Sequence, residues 1–302
     1  MSFYETALFA VEVTIAGLLA GVMYSLVALG FVLIYKSSGI FNFAQGAMVL
    51  AAALTFVRLL EMGWPMWAAF LATLLLMVVL AVATERVMLR PLVARPPIIL
   101  FMATFGLNFF LEGAAQGIWD TQVHGLDVGI PDRPFEALQQ YGLFVSLFDM
   151  VAGAVAVVIV AALVLFFYRT RIGRAMRAVS DDHEAALSVG IPLRTIWAIT
   201  WAISGGVALV AGIMWGSRIG VQYSLSLVVL KALPVLILGG FDSILGAIVG
   251  GLIIGAGEKL AEVFLGPFVG GGIETFFGYL LALVFLYFRP YGLFGEEIIE
   301  RV

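Results

Sequence analysis

Val13–Tyr35, Ser37–Val57, Met62–Thr84, Pro96–Leu111, Met150–Tyr168 and Thr195–Ser217 each run without a single charged residue. A helix of about 20 mainly apolar residues crosses the roughly 30 Å of bilayer hydrocarbon. Backbone inside that layer has to close its own hydrogen bonds, and a helix does so within one segment. Ile219–Gly257, interrupted only by Lys231 and Asp242, and Thr275–Phe288 extend the pattern. The expected fold is an all-α integral membrane protein with about eight membrane segments, forming one transmembrane domain over residues 1–302.

Composition removes the alternatives. The chain is 63% apolar and 12% charged, about half the roughly 25% charge of a soluble domain, so it lacks the polar residues that cover a soluble surface. A net charge of −4 without long basic runs speaks against nucleic acid as a partner. With no cysteine and only His124 and His183 as histidines, no metal site, cofactor site or thiol chemistry is expected. Nor is there a catalytic constellation, since Gly-x-Ser-x-Gly, His-Glu-x-x-His and a pair of intramembrane aspartates are all missing. A cleaved signal peptide needs a basic leading region. The early charges are Glu5 and Glu12, so the first segment is expected to stay in the mature protein.

Basic loops mark the cytoplasmic side of a membrane protein. Residues 169–194 hold Arg169, Arg171, Arg174, Arg177 and Arg194, residues 85–95 hold Arg86, Arg90 and Arg95, and a tail follows Arg289. All three are expected in the cytoplasm. The loop Trp119–Asp149, with Asp120, Asp127, Asp132, Glu136 and Asp149 against Arg133, is expected outside. This orientation leaves Ile219–Gly257 about 40 residues to enter and return, too few for two full crossings and a turn. It should therefore be a broken or re-entrant pair of half-helices, parted at Gly239-Gly240-Phe241-Asp242-Ser243.

That break has a counterpart. Gly39–Val49 aligns without gaps to Gly239–Val249, with Gly39, Phe41, Gly46, Ala47 and Val49 repeated identically and Asn42 facing Asp242. Interrupted apolar segments at corresponding positions of two halves, the signature of an inverted repeat, point to a transport pathway. Asn42, Gln45, Asp242 and Ser243, with Gly39, Gly239 and Gly240, are the candidate residues. Their side chains either line the path or lock the break by bonding nearby amides. Glu112 and Lys231 are ionisable groups next to or within apolar segments. Glu112 is expected to snorkel to the interface, while Lys231 sits either there or in a buried pair. The doubled glycines, such as Gly250-Gly251, suit close helix packing.

In the basic loop, Ser180, Asp181 or Asp182 can cap a short helix whose first turn holds Glu184, and Gly190 followed by Pro192 stops it. Glu184-Ala185-Ala186 through Gly190 resembles the Glu-Ala-Ala-x-x-x-Gly signature of ABC importer permeases. Gly21–Gly30 leading to Asn42–Gly46, Leu238–Ala247, and Arg289-Pro290-Tyr291-Gly292-Leu293-Phe294-Gly295 are similar to the branched-chain amino-acid permease family of the LivH type. The resemblance implies a bacterial inner-membrane importer subunit. Its partners would be a second, related permease (a heterodimer, with a homodimer also open), two ABC ATPase subunits and a periplasmic substrate-binding protein. It also implies that Glu184, Ala185, Ala186 and Gly190, flanked by Arg174 and Arg177, form a coupling helix that meets the ATPase. None of the lysines, Lys36, Lys231 and Lys259, follows a phosphate-loop glycine pattern, so ATP hydrolysis is expected on another chain. Many relatives carry histidine and then an acidic residue where this sequence has Gln45 and Ala47. The residues leave the solute open among branched-chain or other hydrophobic amino acids and related small amides or acids. The competing class is an ion-coupled secondary transporter or channel, which would need more intramembrane carboxylates than the segments offer.

Overall fold

The computed structural model describes residues 3–92 and 95–295. Fourteen α-helices follow in chain order among these residues: α1 Phe3–Ser38, α2 Gln45–Glu61, α3 Met66–Ala83, α4 Arg90–Leu92, α5 Pro97–Trp119, α6 Glu136–Gln139, α7 Leu147–Arg169, α8 Arg171–Asp181, α9 His183–Ser188, α10 Leu193–Ile219, α11 Ser224–Val228, α12 Ala232–Gly239, α13 Ile244–Val269 and α14 Phe277–Phe288. A π-helical stretch, Thr84–Leu89, joins α3 to α4. The only strand-like pairings among the described residues are single bridges, His124 with Val221 and Pro134 with Ser146.

Among the described residues, six helices are long and apolar enough to cross a membrane: Tyr4–Ser38, Met66–Leu92, Ile98–Trp119, Leu147–Arg169, Leu193–Ile219 and Ile244–Val269. Ser224–Gly239 and Phe277–Phe288 are shorter apolar helices. The break in Ile219–Gly257 falls at Gly240–Ser243, but its second part is not a half-helix. It continues for 26 residues to Val269, because partners described below satisfy the charges past Gly257.

The chain folds as two compact units, one of residues 1–28, 128–162 and 231–302, the other of residues 29–127 and 163–230; α1 and α7 run through both. In the second unit α2 is central, with residues 45–50 and 52–57 all buried and α3, α5, α10 and α11 around it. α3 shows how a membrane helix reverses the usual pattern. Ala69, Thr73, Met77 and Ala81, four residues apart and so on one face, are buried, while Leu71, Leu75 and Val79 point outward. Small residues inside let helices approach, and large apolar ones outside meet lipid at no cost. At Gly205 of α10 an added Cβ would lie 3.2 Å from Met77 Cβ, and at Gly212 it would lie 2.8 Å from the Val49 carbonyl oxygen.

In the other unit α13 is the hub. Its Gly251 and Gly255 lie against Gly21 and Gly17 of α1, so closely that a Cβ on Gly255 would stand 2.4 Å from the Gly17 carbonyl oxygen. Ser25 Oγ donates to the Gly21 carbonyl (2.9 Å) and lies 3.2 Å from the Ile248 carbonyl. Gly250 meets α12 at the Val235 carbonyl, and Gly257 meets Phe277 of α14.

Candidate functional site: two helix breaks and a capped surface helix

The first break opens where α1 ends. Ser37 and Ser38 turn their hydroxyls back to the Ile34 carbonyl (3.1 and 2.7 Å), and Gly39 takes a φ of +67°, a conformation open to glycine. Backbone groups freed here would be costly in hydrocarbon, and the protein supplies partners. Trp197 Nε1 donates to the Ser37 carbonyl (3.0 Å), Thr104 Oγ1 to the Phe41 carbonyl (3.1 Å), and Ala44 N–H to Asn42 Oδ1 (3.1 Å). Asn42 Nδ2 also donates to Gln45 Oε1 (3.1 Å), which accepts a second bond from Ser204 Oγ (2.8 Å). Asn42, Gln45 and Ser204 are fully buried, and Gln45 Nε2 has no partner among the described residues. Phe41 stacks on Phe31 and meets Phe43 edge-on, and Phe43 in turn meets Phe101. The structure thus brings the predicted Gly39, Asn42 and Gln45 together with Thr104, Trp197 and Ser204, which sequence reasoning missed. Those three lie at least 59 positions from Gln45 along the chain (104 − 45). Their only local signal is a polar group in an uncharged segment.

The second break is held differently. α12 ends at Gly239, Gly240 has φ +107°, and Ser243 Oγ caps α13 by accepting from Gly246 N–H (3.0 Å). Gly239 and Gly246 touch backbone to backbone; a Cβ on either would fall 2.2 Å or less from the other's carbonyl oxygen. Asp242 and Ser243 are half-buried. The terminal motif explains itself here. Leu293 N–H and Phe294 N–H donate to the Leu238 and Gly239 carbonyls (2.8 and 3.1 Å), which a helix end leaves without intrahelical partners. Gly292 and Gly295 have no room for a Cβ beside Gly240 and the Tyr291 carbonyl.

Lys231, at the start of α12, is in a buried pair. Its ammonium lies 3.0 Å from Glu258 Oε2 and also donates to the Glu274 carbonyl, while Tyr24 O–H donates to the same Glu258 oxygen (3.2 Å). Glu258, in the interior of α13, is 3% exposed. Lys259 pairs with Glu274 (2.6 Å), and Glu262 accepts from the backbone N–H groups of Gly272 and Glu274 (2.9 and 3.0 Å). These contacts let α13 continue past Gly257, and they make Glu258 a buried carboxylate inside an apolar helix that the uncharged stretches did not reveal. Glu112 is buried as well, so protein encloses it and the expected outward snorkelling is not seen.

In residues 169–194, Asp182 is the cap. Its Oδ1 accepts from Glu184 N–H (2.8 Å) and Ala185 N–H (3.0 Å), and Gly190, at φ +83°, ends α9. Ala186 is buried, whereas Glu184, Ala185, Leu187 and Val189 are exposed. Arg174 is exposed; Arg177 instead turns inward, donating to the Phe167 carbonyl at the end of α7 (2.7 Å) and lying over the Phe167 and Tyr168 rings. It thereby fixes α8 against α7 through one of the orphan carbonyls of a helix end.

Beyond the carboxyl ends of α2 and α5, His124 Nδ1 lies 2.8 Å from Glu61 and its Nε2 lies 3.0 Å from Asp120, and Arg58 pairs with Glu61 (2.6 Å). Burial, the largest influence on His124, lowers its pKa, but hydrogen bonds and charges from Glu61 and Asp120 together raise it. Asp120 is held low by the Gln122 backbone N–H and by His124.

The apolar helices, their interrupted segments and the short capped helix define a multi-pass membrane protein. Residues 13–288 match the family described as branched-chain amino acid transport system / permease component, and the chain belongs to that family. It is similar to the high-affinity branched-chain amino acid transport system permease protein BraD of Pseudomonas aeruginosa, with 29% identity covering 95% of this chain and 96% of that one. It also resembles LivH of Escherichia coli, with 27% identity covering 99% of each. A solved structure, PsaBC from Streptococcus pneumoniae in complex with Fab, shares the fold at TM-score 0.50 and 12% identity over 91% of each chain.

Proposed function

We propose that this permease carries branched-chain or other apolar amino acids across the bacterial inner membrane as one subunit of an ABC importer. Substrate-binding protein outside and ABC ATPase subunits inside complete the machine, with a second, related permease beside it. The observation that carries this reading is the family match over residues 13–288, supported by the near-complete coverage of the BraD and LivH relatives. Residues 1–302 act as one permease domain of about eight membrane segments, and ATP is hydrolysed on other chains.

Residues 169–194 form the cytoplasmic coupling loop in this reading. Glu184, Ala185, Ala186 and Gly190 present α9 to the ATPase, Arg174 faces the same partner, and Arg177 transmits motion by anchoring α8 to α7. The breaks at Gly39–Ala44 and Gly240–Ser243 are the two copies of an inverted repeat. Their similar layout supports this: one preceding helix ends at Ser38 and the other at Gly239, and the next begins at Gln45 or Ile244. Asn42 and Gln45 act as locks of the first break, a role suited to their complete burial, while Asp242 and Ser243, being half-buried, stand nearer the path. Loading moves the breaks so that the path opens first outward and then inward.

The test is reconstitution with the ATPase and binding subunits. Replacing Glu184 or Gly190 is expected to abolish transport-coupled ATP hydrolysis and leave membrane insertion intact. Normal uptake by those variants would refute the coupling assignment. Flux through the purified chain alone would favour an ion-driven carrier instead.

A further inference from the structure

The second unit contains a cavity of about 410 Å³ whose lining shares only Trp197 with the contacts described at the first break. Its volume is within the roughly 300–1,000 Å³ range of small-molecule sites. Two kinds of lining meet there. The charged part is Glu85, Arg90 and Arg194; the apolar part is built chiefly by Leu187, Leu193 and Trp197.

The three charged groups are held differently. Glu85 is 2% exposed and sits in the π-helical stretch Thr84–Leu89, a rare conformation that concentrates at functional sites. Arg90 reaches it through Nε and Nη2, both at 3.4 Å, well beyond the roughly 2.7–2.9 Å of a tight charge-assisted bond. Arg194 has no ionic or hydrogen-bonding partner among the described residues. Trp197, by contrast, is fixed through its Nε1 on the Ser37 carbonyl at 3.0 Å.

A ligand that satisfies this lining carries an acid group for the unpaired guanidinium, a cation that can approach the loosely held carboxylate, and an apolar body for the leucines and the indole. We propose that the cavity binds a free aliphatic α-amino acid, taken from the side of the basic loop. Leu187 belongs to α9, so an occupied cavity braces the helix that couples to the ATPase and slows the transport cycle as product accumulates. The identity of the ligand and the sidedness rest on the transport reading above; the existence of the site does not.

Titration calorimetry of leucine into the full chain, held in phosphatidylcholine nanodiscs, tests the site without transport. Wild type is expected to bind, and Arg194→Gln, an exposed position that leaves the melting temperature unchanged, is expected to bind at least tenfold more weakly. Absence of binding, or equal affinity in Arg194→Gln, overturns the proposal. A phosphatidylethanolamine head carries an acid group and a primary ammonium that can donate to a carboxylate, which the choline head lacks, so phosphatidylethanolamine nanodiscs form the second arm. A melting shift from that lipid that Arg194→Gln abolishes, with no response to leucine, also overturns it. In the reconstituted importer, leucine on the ATP side is expected to inhibit uptake, and the variant should need at least tenfold more. Inhibition identical in both proteins places feedback elsewhere and counts against the site. If the assembled importer shows no ATP-driven uptake at all, the transport reading fails, and calorimetry still decides the cavity.

Discussion

Replacing Gly255 by alanine is a one-carbon test of how α1 and α13 are joined. The added Cβ would lie 2.4 Å from the Gly17 carbonyl oxygen and from Gly21 N and Cα, where ordinary contact begins at 3.4 Å. The helices therefore have to part by about 1 Å (3.4 − 2.4), and because the obstacles are backbone atoms no rotamer change relieves them. Overpacking of this kind costs about 1–3 kcal/mol, and rigid obstacles place Gly255 at the upper end. Alanine also improves helix propensity by about 1 kcal/mol, leaving a net loss of about 2 kcal/mol. Gly106 in α5 is the internal control, since nothing lies within 4 Å of its added Cβ, and Gly106→Ala should be neutral or up to about 1 kcal/mol stabilising. At about 2–4 °C per kcal/mol, the two variants, about 2–3 kcal/mol apart, should melt roughly 4–12 °C apart, followed by tryptophan fluorescence in detergent. A Gly255→Ala protein melting with or above wild type would refute the close-packed α1–α13 contact.

Lys231→Met removes the partner of a buried carboxylate, Glu258, and should cost about 3–5 kcal/mol, while Lys231→Met with Glu258→Leu recovers most of it; chemical denaturation of the double-mutant cycle measures both. The His124 pKa is raised by Glu61 and Asp120 against the effect of burial. Its contribution to stability is therefore complete below the unfolded value of about 6.5 and is lost as pH rises through the higher folded value. Melting temperature should fall across that window in wild type and stay level in His124→Gln. Asp182→Ala deletes both cap bonds of α9 and should weaken that helix by about 1 kcal/mol. Circular dichroism is expected to show the overall helix content kept, while uptake by the reconstituted importer falls.

Much of this was legible locally. The uncharged stretches mark which segments are helical and apolar enough to cross a membrane, and the small-polar runs at Gly39–Gln45 and Gly239–Ser243 locate both interruptions to within a residue or two. Asp182 and Gly190 bound α9 through bonds spanning three residues, so capping chemistry alone finds it. The pattern failed where partners are distant. Glu258 and Glu262 read as the end of an apolar stretch, yet α13 runs past them, since Lys231, Glu274 and two loop amides take up their charge. Arg177 reads from the sequence only as one of the basic residues flanking the short helix, and its bond to the Phe167 carbonyl, ten positions away, has no local signal.

By itself, then, the sequence determined an all-helical membrane chain, the positions of its breaks and its surface helix, all consequences of hydrophobic length and local hydrogen bonding. Only the tertiary structure decided which groups satisfy the backbone at the breaks. Trp197, Thr104 and Ser204 close the first, and the 292–295 strap closes the second. Those bonds join residues 63 to 160 positions apart or, for the strap, 55 (Trp197–Ser37 160, Thr104–Phe41 63, Ser204–Gln45 159, Leu293–Leu238 55). No local pattern encodes them, because an unpaired backbone group specifies that a partner is needed and leaves its identity to the packing of distant helices.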